Sequence, residues 1–390
     1  MTPDRLARRA RWGVTLCFLL NGLAWSTLLP RFPEIKRSLA IGDFQWGVII
    51  ALGPLGGLLF GMLAARLIRR FQSAGVAVMF QTLGILCLNL LGNAWHPWVF
   101  ALGVVLMMSC DSLTDIAMNA HGLRVQRRYG ASILNGFHAW WSVGAVTGGL
   151  LGSLAAQQRM AVWVQCLVAS LVFGSLALLA RYWMLDGPDP RPEHVETVEP
   201  GRRIPVPLLL RLLCLGLLAG SAGVLEDSAG SWGTIYMDRM FDVPPFVVGM
   251  ALVSLHGAQM VSRFCSDAIV DRFGQRTTIT AGLATATLGL AAAVTVPNPW
   301  LTLVGFALAG WGIATAFPGA MRAGDEMPGL PHGTGLTIVT SVARVGFLAG
   351  PPLIGAVIEF VGLRWGLIVL PTAALVGLLL TPALAPPKRG

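Results

Sequence analysis

Charge is what this chain lacks most. Among 390 residues there are 28 basic and 19 acidic ones, 12% in all, against about 25% in soluble domains. So few charges cannot cover the surface of a soluble fold of this length. Lysine is nearly missing: only Lys36 and Lys388 occur, and neither is followed by Ser or Thr. A Walker A loop, G-x4-G-K-[ST], is therefore excluded, and with it an ATPase of the P-loop kind. H-E-x-x-H, an arginine-repeat voltage sensor and a TVGYG-like filter are also missing, which argues against a zinc protease and a channel. Cysteine is sparse. Cys17, Cys87, Cys110, Cys166, Cys214 and Cys265 fall in apolar runs with no CxxC pair, so they read as small core residues and no metal or cofactor is expected. Disorder is excluded by a hydrophobic content of 55%.

What remains is an all-α membrane protein. Twelve apolar segments approach the ~20 residues a bilayer needs. They run over 12–30, 44–66, 74–93, 97–120, 132–156, 160–180, 208–236, 246–269, 277–296, 299–321, 333–360 and 363–384. They are apolar on every face, unlike the alternating strands of a barrel. The first run is too long for a signal-peptide core, so no cleavable leader is expected.

Basic residues orient the spans. With both termini placed in the cytoplasm, twenty of the 28 fall in inside segments and six outside, while Arg263 and Arg344 lie within spans. The same bias accounts for the net charge of +9 without nucleic acid. The chain then divides into a six-helix bundle over 1–180, a polar cytoplasmic linker over 181–207 and a second bundle over 208–390. One offset, 202 residues, aligns four separated features. Phe44-x-x-Gly47 falls on Phe246-x-x-Gly249, and Arg70-Phe71 on Arg272-Phe273. Pro97-Trp98-x4-Gly103 falls on Pro299-Trp300-x4-Gly305, and Gly144-x3-Gly148 on Gly346-x3-Gly350. An even number of spans per copy predicts two parallel pseudo-repeats, an architecture of secondary transporters.

At this point the chain resembles the major facilitator superfamily over essentially its whole length. The loop Asp271-Arg272-Phe273-Gly274-Gln275-Arg276 is similar to the superfamily's G-x3-D-R/K-x-G-R/K-R/K signature. The first copy, Arg69-Arg70-Phe71-Gln72-Ser73, has lost the acid and the glycine. Asp115-x3-Asn119, His138-x5-Gly144, Glu226-x-Ser228-Ala229-x-x-Trp232 and Gly350-Pro351-Pro352-x-x-Gly355 resemble the branch of fucose-permease-like sugar symporters and YbjJ-like bacterial permeases. The resemblance implies a cavity lined by spans one, four, seven and ten, and a monomer in the bacterial inner membrane.

A charge at mid-bilayer costs roughly 2.5–3.5 kcal/mol, so each ionisable residue within a span is a candidate for function. Asp111, Asp115 and Asn119 stand at i, i+4 and i+8 and share one helical face. Burial disfavours a carboxylate anion, so an acid there can take up and release a proton. Asp115 is expected as the main proton carrier, with Asn119 bonding substrate and Asp111 in a secondary proton-coupling or an electrostatic role. Either acid alternatively pairs with an arginine to hold the bundle. Glu226 is read as a coupling group or as the partner of Arg263, and adjacent Asp227 points about 100° away. Arg344 either binds an anionic substrate group or neutralises an acid across the bundle. His138 either relays protons or packs. Asp271, Arg272 and Arg276 form the expected gate. Trp25, Trp140 and Trp311 lie deep enough to stack on a sugar ring, or else pack the core. The leading expectation is a proton-coupled transporter of a small polar, sugar-like solute, and no enzyme. The alternative is a proton-driven efflux antiporter for drugs or metabolites. The span-one acid of the fucose-type symporters falls near Ser26 here, which weighs against coupling by that route.

Overall fold

A computed structural model describes residues 4–130, 133–189, 204–328, 330 and 333–385. It is all-helical, with no strand among the described residues. The chain forms two compact units. The first holds α1 (Arg5–Ser26), α2 (Phe32–Leu39), α3 (Asp43–Gly61), α4 (Ala64–Gly92), α5 (Pro97–Tyr129), α6 (Leu134–Gln157) and α7 (Val162–Trp183). The second opens with α8 (Val206–Ser228), which passes through a π-helical turn (Ala229–Gly233) into α9 (Thr234–Met240). Next in the chain come α10 (Pro245–Val248) and α11 (Met250–Phe273). Then follow α12 (Gln275–Thr295), α13 (Pro299–Ile313), α14 (Ala316–Asp325), α15 (Thr334–Val361), α16 (Leu363–Gly366) and α17 (Val369–Leu380). Residues Asp242–Val253, which the sequence reading places in the second bundle, group with the first unit. There Phe246 N donates to Gln157 Oε1 at 3.1 Å. Of the expected linker, 190–203 lies outside the described residues.

Among the described residues, ten helical stretches are long and apolar enough to cross a membrane. α6 and α11, over the expected fifth and eighth spans, are not among the ten, although each has 24 residues. Helix starts follow local chemistry. Pro97 and Pro299 open α5 and α13, where the missing N–H is no loss. His96 and Asn298 cap them, accepting from Trp98 N at 3.3 Å and Trp300 N at 2.9 Å. Lipid tails are as apolar as leucine, so close packing rather than water exclusion joins the helices. A Cβ on Gly144 of α6 would strike the Leu19 carbonyl of α1, and one on Gly346 of α15 the Gly220 carbonyl of α8. Glycine at both places lets the backbones touch. An aromatic stack, Phe32 to Trp46 at 5.0 Å and Trp46 to Phe100 at 5.3 Å, ties α2, α3 and α5.

α4 breaks at Gln72, whose φ of 66° and ψ of 155° are far from helical. The residues after α7 close over this break. Asp189 accepts from Ser73 N at 2.6 Å and Ser73 Oγ at 2.5 Å. Ser73 Oγ also meets His121 Nδ1 at 2.8 Å, and His121 Nε2 accepts from Leu185 N at 3.2 Å. A backbone N–H can only donate, so the proton of the neutral ring sits on Nδ1. Arg124 donates to Gly187 O at 2.8 Å and lies 3.6 Å from Asp189.

Candidate functional site

Each unit carries its own polar cluster among apolar helices. In the first unit α1, α5 and α6 meet at three side chains. Trp141 Nε1 donates to Asn21 Oδ1 at 2.9 Å, and Asn21 Nδ2 donates to Asp111 Oδ1 at 2.7 Å. An indole nitrogen only donates, so it fixes which way the Asn21 amide turns and leaves the NH2 for the carboxylate. Asn21 is buried and Asp111 half-buried. One turn further along α5, exposed Asp115 accepts from Asn119 Nδ2 at 2.9 Å. The same nitrogen reaches Asp115 O at 2.9 Å. The i, i+4 spacing thus brings Asp115 and Asn119 into direct contact.

In the second unit Glu226 of α8 lies 3.6 Å from Arg263 of α11, both partly exposed. This is the pairing the sequence offered as one of two roles for Glu226. Two residues past Asp227 the chain enters the π-helical turn, and Ser231 Oγ donates to Asp227 O at 2.9 Å. Such turns recur at functional sites. His256 is buried, with Nδ1 3.1 Å from Gln259 Oε1.

The other expected residues fall apart from these clusters. His138 is exposed and stands edge-on to Phe18 at 5.1 Å. Trp25 packs edge-on against Phe32 at 5.6 Å and so belongs to the aromatic stack. Trp140 and Trp311 are both exposed, and Trp311 O accepts from Ser262 Oγ at 3.0 Å. Arg344 is exposed and has no ion-pair partner among the described residues. Asp271, Arg272 and Arg276 are exposed, with Arg272 lying over the Phe273 ring at 5.3 Å. Sequence reasoning missed Asn21, Gln81 and the role of Trp141. An Asn and a Gln inside otherwise apolar runs are the signal that marks the first two.

The family profile described as Major Facilitator Superfamily matches residues 14–257 and 215–390. The chain belongs to that superfamily. It is an integral membrane protein of a transporter family and not an enzyme. It is 28% identical over 356 residues to "Uncharacterized transporter y4wD" of Sinorhizobium fredii (strain NBRC 101917 / NGR234), covering 90% of this chain and 92% of that one. The fold is similar to the crystal structure of the nucleoside transporter NupG, with a TM-score of 0.72 and 14% identity over 98% of this chain and 99% of that one. It is also similar to that of FucP, a superfamily transporter in the outward conformation, with a TM-score of 0.65, 12% identity and coverage of 98% and 100%.

Proposed function

We propose that the chain is a proton-coupled secondary transporter that moves a small polar, sugar-like solute across a bacterial inner membrane. The observation that carries this reading is Asp115. It is an exposed carboxylate midway along a membrane helix, bonded only to Asn119 and to no cation among the described residues. An acid placed so can exchange its proton as conditions around it alternate. Asn119, held against it, is within reach of whatever solute displaces that bond. The Glu226–Arg263 pair supplies a second charged element that can open or close. In this reading His138 and Trp140 in the first unit contact solute, as do Arg344 and Trp311 in the second, and Asp271, Arg272 and Arg276 form a gate.

The architecture in this reading is twelve spans in two parallel six-helix repeats, with both termini in the cytoplasm, working as a monomer by alternating access. α6 and α11 complete the twelve: 24 residues rise about 36 Å, enough for a ~30 Å hydrocarbon core. Matching helix starts at Pro97 and Pro299, and matching glycine contacts at Gly144 and Gly346, support the repeat. The similarity in fold to a nucleoside transporter is in keeping with a hydroxyl-rich solute.

The test is uptake into proteoliposomes under an imposed pH gradient, screened over labelled sugars and nucleosides. Asp115→Asn is expected to abolish uphill movement while leaving downhill exchange. Full uphill transport with unchanged pH dependence in that variant would end the proton role of Asp115.

A further inference from the structure

The cluster around Asp111 has more to it than a secondary electrostatic role. A small cavity between α1, α4 and α5 is lined by Asn21, Gln81, Asp111 and Thr114, with Phe80 and Met107 among its apolar walls. It has room for about one water-sized particle. Gln81 is 4% exposed, and its Oε1 has no hydrogen-bond partner. Asp111 commits Oδ1 to Asn21 and leaves Oδ2 unbonded. Thr114 donates its proton to Cys110 O at 2.8 Å, so its oxygen has lone pairs to spare. No lysine, arginine or histidine pairs with Asp111 among the described residues.

Two deficits therefore meet in one place. A buried amide oxygen without a donor is unfavourable, and so is a carboxylate within the membrane without a counter-charge. Water would answer the first and not the second. A hard monovalent cation answers both, because it is bound by oxygen and carries one charge against one carboxylate. A divalent ion would call for more oxygens and more negative charge than this cavity offers. Asn21 is held away from this task, since its amide oxygen is occupied by Trp141 and its NH2 faces Asp111.

We infer that this cavity binds a single sodium-sized monovalent cation through Gln81 Oε1, Asp111 and Thr114 Oγ1. The inference does not rest on proton coupling at Asp115. It names a second ionic site, one turn away on α5.

Thermal unfolding of the full chain in detergent, at constant ionic strength, tests it by exchanging choline chloride for sodium chloride. The unfolding midpoint is expected to rise with sodium, as for any ligand bound only by the folded state. Gln81→Leu removes an oxygen ligand and Asp111→Asn removes the negative charge of the site, and each should weaken the apparent sodium affinity by at least about tenfold. Gln81→Glu adds a second anionic oxygen and should strengthen it. If a variant does not fold, equilibrium binding of radioactive sodium to the unaltered chain gives the answer. Equal midpoints in sodium and choline, with no bound sodium, overturn the proposal and leave the cavity to water and a protonated Asp111. A sodium response retained in both Gln81→Leu and Asp111→Asn overturns it too. The assay uses neither solute nor gradient, so its failure leaves the transport reading standing. Asp115→Asn should keep the sodium response.

Discussion

The break in α4 and the turn between α11 and α12 lie 202 residues apart and follow the same backbone path. Gln72 has φ 66° and ψ 155°, and Gly274 has φ 80° and ψ 149°. Each has a neighbouring arginine stacked on a phenylalanine, Arg70 on Phe71 at 5.2 Å and Arg272 on Phe273 at 5.3 Å. Glycine adopts this region freely, whereas any residue with a Cβ is strained there by about 1–3 kcal/mol. The first unit therefore keeps the turn without the residue that makes it easy. It holds the turn from outside instead. Asp189, 116 residues away in sequence, grips Ser73 through both its backbone and its hydroxyl, and His121 and Arg124 secure the same segment. In the second unit Gly274 caps α12 with no side-chain hydrogen bond, and Asp271 is exposed. The same shape is thus intrinsic to the chain in one unit and imposed by tertiary contacts in the other.

The sharpest way to break this comparison is to remove the two acids. Asp189→Ala strips the acceptor from a buried N–H and hydroxyl and should lower stability by about 3 kcal/mol. Asp271→Ala should change it by no more than about 0.5 kcal/mol, as for an exposed site without partners. Denaturant unfolding in detergent measures both, and equal effects would show that the clamp is not what holds the turn. An exchange of the turn residues comes next in size. Gly274→Gln should destabilise by about 1–3 kcal/mol. Gln72→Gly should stabilise by about 1 kcal/mol, because the relieved strain exceeds the added freedom of the unfolded chain. If Gln72→Gly instead destabilises, the Gln72 side chain contributes something its backbone strain conceals.

The smallest effect concerns exposed ion pairs of the first unit. Arg128 donates to Asp4 at 2.8 Å and Arg181 pairs with Asp186 at 2.7 Å. In each case the hydrogen bond from the arginine holds the carboxyl below its ordinary range. A depressed folded-state value means the contribution is full above the unfolded value and fades as pH falls through the folded one. The unfolding midpoints of the unaltered chain and of Asp4→Asn should therefore differ slightly above about pH 5 and converge as pH falls below the ordinary carboxylate range. A gap that stays constant over that range would mean the pair contributes nothing through charge.

Much of the fold was legible because it is local. Apolar runs of bilayer length, proline at helix starts and the shared face of Asp115 and Asn119 follow from spacing within one segment, although Asn119 was expected to bond substrate and its amide lies on Asp115 instead. The Glu226–Arg263 contact was one of two roles the sequence left open for Glu226, since unpaired charge is costly in apolar surroundings. α6 was read as the fifth span, 132–156, although Trp140, Trp141, His138 and its many glycines dilute its hydropathy. What could not be read was tertiary. Nothing in the residues around Asn21 says that α5 and α6 will present Asp111 and Trp141 to it. Nor does the sequence near Gln72 reveal that Asp189 returns to cap it, because the loss of Asp and Gly at that turn looks like decay until the replacement is seen.

The π-helical turn at Ala229–Gly233 has a consequence for the whole stretch from Val206 to Met240. One added residue rotates everything downstream by about 100° relative to an unbroken α-helix. Glu226 can thus meet Arg263 on one side while Tyr236, ten positions later, stays buried on a bearing that a regular helix would not give it. Upstream and downstream portions of a single rod carry separate phases, so evolution can retune the charged portion without re-aiming the aromatic one.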